Sequence, residues 1–239
     1  MTYQNIFFQD LNKLGLELDH DQINQFDLYY EFLISENKKF NLTSITEHQE
    51  VYKKHFIDSL SLCAYGMNLS DNLQIIDVGS GAGFPGIPLK IAFPHLKITL
   101  LDSTNKRVLF LESIIQKLNL IGISPVQGRA EELAHTTLFR GKYDLCVSRA
   151  VANLSTLSEY CLPFVKTGGL FISYKTNDID MELSCADKGI SLLGGQVDKQ
   201  VSFTLPNSDI LRSLVGIRKV SETPIKYPRR AGLPTKKPL

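Results

Sequence analysis

The 239-residue chain has no tryptophan, three methionines and only four cysteines. Cys63, Cys146, Cys161 and Cys185 stand far apart with no paired spacing, so neither a zinc site nor a disulfide framework is suggested. All four read as core residues, and no metal is expected. No apolar run approaches the roughly 18 residues that a membrane-spanning helix needs. Residues 1–11 lack the basic-then-apolar layout of a secretion signal. These scarcities together read as a reduced, cytoplasmic protein with no membrane partner. A disordered chain is also excluded, because 43% of the residues are hydrophobic and only 21% charged. The length allows one domain, or one domain with a small appendage.

The net charge of +1 conceals an asymmetry. Residues 218–239 hold seven basic residues against one acid, Glu222, while the first 217 residues carry 19 basic and 24 acidic ones. A mildly acidic body with a basic end suits contact with a polyanion at one place.

The chain divides into three zones, expected as an N-terminal helical extension (1–70), an α/β domain (71–222) and a basic C-terminal arm (223–239). In the first, Ile23, Phe26, Tyr30 and Leu33 recur at helical spacing. Thr46-Glu47-His48-Gln49 has the form of a capping box, and Val51, Tyr52, His55, Phe56 and Leu60 continue as an apolar stripe. From about residue 73 the period changes. Strands are expected at 73–78, 97–102, 123–127, 143–148 and 170–174, with a helix through Val108, Leu111, Ile115 and Leu118. Strand–helix alternation with continuously apolar strands predicts a mostly parallel sheet covered on both faces. Residues 196–205 and 211–220 are expected to form an antiparallel pair joined by Pro206-Asn207-Ser208-Asp209. Beyond them four prolines predict an extended arm without regular structure.

The most informative stretch runs from Ile75 through Asp77, Gly79, Gly81, Gly83, Phe84 and Pro85 to Gly86. An apolar strand entering glycines lets the backbone turn sharply and approach a ligand at the carboxyl edge of the sheet. The spacing matches an S-adenosylmethionine loop and, formally, a dinucleotide fingerprint. Asp77 favours the first reading. A carboxylate there can answer the ammonium of a methionine moiety, and it would stand close to any pyrophosphate. Phe84 and Pro85 also crowd a turn at which a pyrophosphate would want free N–H groups.

Asp102, at the end of the second strand, is placed to bind ribose hydroxyls in either cofactor class; helix capping is its plainer alternative. Glu131 follows the third strand where an adenine would lie, although a solvated helix start would need the same residue type. Arg149 follows the fourth strand and faces the gap between cofactor and substrate. It cannot serve as a base near neutral pH, so it clamps an anion, stacks on a base, or forms a structural ion pair.

At these residues the chain resembles the ribosomal RNA small subunit methyltransferase G family, also called glucose-inhibited division protein B. The stretches that carry the resemblance are Asn41 to Ile45, His55 to Leu60, Asp77 to Pro88, Asp102 to Arg107, Arg129 to Glu131, Ser148 to Val151, and Lys226 to Pro234. They occur in order over nearly the whole chain. The resemblance implies a Rossmann-like methyltransferase fold that makes 7-methylguanosine in 16S ribosomal RNA from S-adenosylmethionine. It places cofactor contacts on Gly79, Phe84, Asp102, Ser103, Thr104, Ala130, Glu131 and Arg149, beside Asp77 and Gly81 from the loop itself. Ser80 stands where many relatives have alanine, a change too small to block the pocket.

Guanine N7 has an in-plane lone pair and is unprotonated at neutral pH, so no general base is needed and none is assigned. His55 reads first as a packing residue, and otherwise as a wall of the guanine pocket with Asp58 and Ser59. The RNA contacts are expected on Lys226, Arg229, Arg230, Lys236 and Lys237, and deleting residues 226–239 should weaken RNA binding, flatten its salt dependence and leave cofactor affinity unchanged. The partner is then 16S ribosomal RNA or a small-subunit precursor, and the protein a monomer. A small-molecule methyltransferase and a non-enzymatic RNA-binding assembly factor with a vestigial pocket are the rival readings; a dehydrogenase comes last, for want of a second catalytic domain.

Overall fold

The computed structural model describes residues 3–150, 152–176 and 179–239. Met1, Thr2 and Val151, each part of a stretch quoted above, lie outside them. Among the described residues seven strands form one sheet: β1 Gln74–Val78, β2 Lys97–Asp102, β3 Ile123–Gln127, β4 Tyr143–Ser148, β5 Val165–Lys175, β6 Gly195–Thr204 and β7 Leu211–Lys219. Their order is β3-β2-β1-β4-β5-β7-β6, with β1 to β5 parallel and β7 antiparallel to both its neighbours. The expected mostly parallel sheet with a terminal antiparallel pair is the one observed. β5 starts five residues earlier than the apolar run suggested. Its first part crosses Gly168-Gly169, where the register against β4 shifts, and a polar, glycine-bearing start hides a strand from hydrophobic patterning.

The period of two along each strand sends neighbours to opposite faces. Ile75, Leu145, Val147 and Ile172 point into one core, shared with the helices Tyr3–Lys13, His20–Phe40, Gly86–Ala92 and Asn105–Lys117. Ile76, Cys146, Phe171 and Val215 point into the other, shared with Leu154–Cys161 and Asp180–Leu192. The N-terminal helices therefore pack into the same core as one face of the sheet. Of the cysteines, Cys146 and Cys161 are buried as expected, while Cys63 is half-buried and Cys185 exposed.

Two local expectations are corrected. Tyr29, not Tyr30, lies on the buried stripe of the helix His20–Phe40. The capping box forms at the start of that helix, where Asp19 and Gln22 exchange side-chain and backbone hydrogen bonds of 2.8 and 2.9 Å. At Thr46–Gln49 none forms: Glu47 is the N-cap and its longer carboxylate reaches the Glu50 N–H instead. The helix that follows widens to a π-helix over Tyr52–Ile57.

The basic end is not an extended arm. Arg140 donates to the carbonyls of Thr223 and Tyr227 at 2.8 and 2.9 Å, and Tyr227 and Pro228 are buried. Arg229 engages both carboxylate oxygens of the fully buried Glu159. A short helix, Leu233–Lys236, follows Gly232, whose φ of +79° suits glycine. Prolines do not prevent this, because Pro234 falls in the first turn, where no backbone N–H is required.

Candidate cofactor and substrate site

β1 ends in Asp77-Val78 and runs into Gly79, Gly81 and Gly83, with φ of +79°, +60° and +97°. Side-chain-bearing residues rarely adopt that region, so the glycines are what let the loop turn back over the sheet. The N–H groups of Gly79 and Ser80 donate to the Leu101 carbonyl at 2.8 and 3.1 Å, tying the loop to β2. A Cβ at Gly83 would come within 2.7 Å of the Tyr29 hydroxyl, which itself donates to the Ala82 carbonyl. The helix His20–Phe40 thus holds the loop from below.

Asp77 is fully buried. Its Oδ2 accepts from the Gly86 N–H at 3.0 Å, and its Oδ1 has no hydrogen-bond partner among the described residues. Burial pushes its carboxyl up to about 7, against the pull of the Gly86 N–H, the Ser80 hydroxyl and the Arg149 charge. A buried carboxylate oxygen without a donor is costly unless something cationic meets it.

Beside the loop lies a cavity of about 270 Å³, at the carboxyl ends of β1 to β3 and walled by Gly79, Asp102, Ser103, Ala130, Glu131 and Tyr160. Asp102 is held rigidly: Oδ2 accepts from Gly81 N–H at 2.9 Å and Oδ1 from Thr104 N–H at 2.8 Å, with Arg107 at 3.3 Å. Thr104 is the helix N-cap and makes no side-chain cap bond, so Asp102 serves the start of that helix as well as the cavity. Glu131 is buried rather than solvated, and accepts from the Gly232 N–H at 3.0 Å. The Tyr160 hydroxyl meets Thr235 at 2.9 Å. The C-terminal segment, expected to be independent of the cofactor cavity, therefore touches two of its walls.

A second cavity, about 390 Å³, shares Ala150 and Ala152 with the first and is lined also by Asp58, Arg149, Tyr174, Lys175, Glu182 and Arg212. Arg149 donates to Asp58 Oδ2 at 3.0 Å, and Arg212 to Asp58 Oδ1 at 2.7 Å. Arg149 also reaches the Lys54 carbonyl at 3.1 Å, an acceptor within the π-helix, and lies over the Phe84 ring at 5.0 Å. Phe84 stacks on His55 and Tyr29 at 4.5 and 5.4 Å. The His55 Nε2 meets the Thr43 hydroxyl at 2.9 Å; burial, then the Arg149 charge, hold its ring down to about 3. That ring is neutral at physiological pH.

Of the residues singled out in the sequence, Gly79, Asp102, Ser103, Ala130 and Glu131 line the first cavity, and Arg149 the second. Asp77, Gly81, Phe84 and Thr104 are not among the lining residues of either cavity. Among the basic residues of the C-terminal segment, Lys226, Arg230, Lys236 and Lys237 are exposed, whereas Arg229 is committed to Glu159. Arg212, Lys175, Glu182 and Tyr160 were missed. They reach the site only through the pairing of distant strands and helices, and no local spacing marks them.

The strand order, the antiparallel β7, the glycine loop after β1 and the acid closing β2 together define a Rossmann-like methyltransferase fold. Solved structures agree on the fold. The chain superposes with a TM-score of 0.58 on a protein from a Haloferax volcanii complex of a methyltransferase and its activator, at 12% identity over 80% of this chain and 98% of that one. It superposes with 0.52 on the YcgJ protein of Bacillus subtilis, at 15% identity over 68% of this chain and 98% of that one. The sequence model of the family GidB, rRNA small subunit methyltransferase G, matches residues 22–211. Proteins named ribosomal RNA small subunit methyltransferase G from Lachnoclostridium phytofermentans and Alkaliphilus metalliredigens are 50% and 51% identical; each alignment covers all of this chain, and 98% and 100% of the relative. The chain belongs to the rRNA small subunit methyltransferase G family.

Proposed function

We propose that the protein transfers a methyl group from S-adenosylmethionine to N7 of a guanine in 16S ribosomal RNA, as a cytoplasmic monomer acting on the RNA or on a small-subunit precursor. The observation that carries this reading is the partnerless Oδ1 of Asp77 beneath the glycine loop, one strand away from Asp102 at the cavity wall. These residues fit the cofactor. Asp77 meets a cationic amine, Asp102 with Ser103 and Thr104 the ribose, and Ala130 and Glu131 the adenine side. Gly79 and Gly81 keep the approach open, and Phe84 supports the loop beside Arg149. The catalytic domain spans 71–222, flanked by the helical extension 1–70 and the basic segment 223–239.

When bound, S-adenosylmethionine supplies an electrophilic methyl on a sulfonium. The chain's own work is positioning, because a lone pair attacking in line needs alignment more than proton transfer. The second cavity adjoins the first through Ala150 and Ala152, which is where a target base must enter. Positive charge grows on guanine during transfer, and an uncompensated arginine there would oppose it. Asp58, shared between Arg149 and Arg212, cancels part of that field and leaves Arg149 to hold an anionic group of substrate or cofactor.

The test uses methyl-labelled S-adenosylmethionine with unmodified 16S ribosomal RNA or small subunits, digested afterwards to nucleosides. Label in 7-methylguanosine is expected. Protein that binds the cofactor yet labels no RNA would overturn the reading in favour of a small-molecule substrate.

A further inference from the structure

A third cavity, about 320 Å³, opens at the opposite end of the sheet, where β4 and β5 begin. Its walls carry four cations, Arg140, Lys142, Lys166 and Lys219, and one acid, Glu222. Lys219 is 2% exposed, and its ammonium donates to the Leu162 carbonyl at 2.7 Å and to the Thr223 hydroxyl. Arg140 spends its N–H groups on the carbonyls of Ala134, Thr223, Pro224 and Tyr227. Carbonyls fix these cations in place without neutralising them. Among the described residues only Lys166 of the four has a carboxylate within ion-pair distance, Asp144. Glu222 is exposed and acts on Lys219 and Arg140 from a greater distance.

The cavity therefore holds more positive charge than its own residues answer. Burial, and then the neighbouring Arg140, hold the Lys219 ammonium down to about 7, which is the electrostatic cost of facing like charge in a poorly solvated place. An anion with several acceptor oxygens relieves that cost. The C-terminal segment starts at this cavity, with Glu222 and Thr223, and reaches the cofactor cavity where Gly232 meets Glu131. Between and just beyond these points it exposes Lys226, Arg230, Lys236 and Lys237.

We infer that the cavity lined by Arg140, Lys142, Lys166 and Lys219 is a phosphate-binding site, distant from the cofactor cavity, that takes a backbone phosphate of the RNA substrate. The RNA identity of the ligand rests on the reading above; the phosphate chemistry does not. Phosphate contacts fix register without reading sequence, so a clamp at the far end of the sheet orients a large RNA while the base is chosen at the other end.

The experiment compares wild type with the double variant Lys142→Gln/Lys166→Gln and the single variant Lys142→Gln. The altered side chains are exposed and lie outside the cofactor and substrate cavities. In the first arm, affinity for 16S ribosomal RNA is measured against salt. Each phosphate contact contributes a log–log slope of about 0.7 to 0.9, so the double variant is expected to lose roughly one such unit and the single variant a fraction of it. Cofactor affinity stays unchanged in both, which also certifies the fold. In the second arm, thermal stability is followed with added inorganic phosphate. Wild type is expected to gain stability and the double variant to gain less. A phosphate response that depends on these lysines, with an unchanged RNA slope, would overturn RNA as the ligand and leave a free anion. No difference in either arm would overturn the site altogether. Wild type that neither binds nor methylates RNA, yet responds to phosphate through the same lysines, would sink the RNA reading and not the site.

Discussion

The two ends of the sheet carry opposite charge problems. At the carboxyl end Asp77 is a buried acid with a bare oxygen, and Asp58, Asp102 and Glu131 lie around the same two cavities. At the amino end Lys219 is a buried cation faced by Arg140 and collared by carbonyls. Burial moves Asp77 up and Lys219 down until both titrate near 7, from opposite sides. Each end carries an electrostatic cost that an ion of opposite charge relieves, a cation at the first and an anion at the second. An enzyme joining a cationic cofactor to a polyanion has use for both, kept apart by the length of the strands.

The largest expected effect tests whether the two ends are independent. Arg229→Ala strands the fully buried Glu159 without its partner, a loss of about 3–5 kcal/mol. Denaturant unfolding should show it. Cofactor titration should show a fall of severalfold as well, since Gly232 and Thr235 no longer brace Glu131 and Tyr160. Unchanged cofactor affinity would mean that the C-terminal segment serves only the amino end.

Asp77→Asn keeps an acceptor for the Gly86 N–H and removes the charge. Cofactor affinity should fall by roughly tenfold to a hundredfold, the weight of a charge-assisted hydrogen bond. Stability should move the other way. The folded pKa is raised to about 7 from 3.8, so between those values the native state keeps a proton that the unfolded chain has released. Wild-type stability therefore declines as pH rises from about 4 to 7, by a few kcal/mol at most, and the Asn variant lacks that decline. Equal pH profiles would remove Asp77 as the strained group.

The smallest effect belongs to Lys219→Met. Its folded pKa is lowered to about 7 from 10.5, so the unfolded chain binds the extra proton in that window and stability rises with pH there. The substitution should flatten the rise by roughly 1–2 kcal/mol in urea unfolding at pH 7 and pH 10. An unaltered slope would show that water reaches the ammonium freely.

Most of this contrast was legible in the sequence at one end only. β2 and β4 could be bounded correctly because strands inside a sheet covered on both faces read as near-continuous apolar runs, whereas β3, half-exposed at the sheet edge, is marked by Gly122 and Gly128 on either side. The glycine loop could be read because its backbone demands glycine. The amino-end cluster left no such trace. Lys142, Lys166 and Lys219 look like scattered surface lysines until β4, β5 and β7 are aligned, and Arg140 looks like loop filler. The docked C-terminal segment was hidden by its prolines, which forbid long helices and strands but not packing. Tyr29 was passed over for Tyr30 because spacings of three and four fit either tyrosine, and only the loop above it decides.

The first helix is fastened to the last hairpin. The buried Asp10 accepts from Lys53 and, at 2.8 Å, from Asn207, while Lys53 also reaches the Pro206 carbonyl. The same N-terminal layer carries Tyr29, on which the glycine loop rests. A chain still emerging from the ribosome has made Asp10 some two hundred residues before the turn that completes its contacts. Until residue 207 is synthesised that anchoring of the first helix is missing. The N-terminal layer is thus pinned from its far side only once the last hairpin has been made.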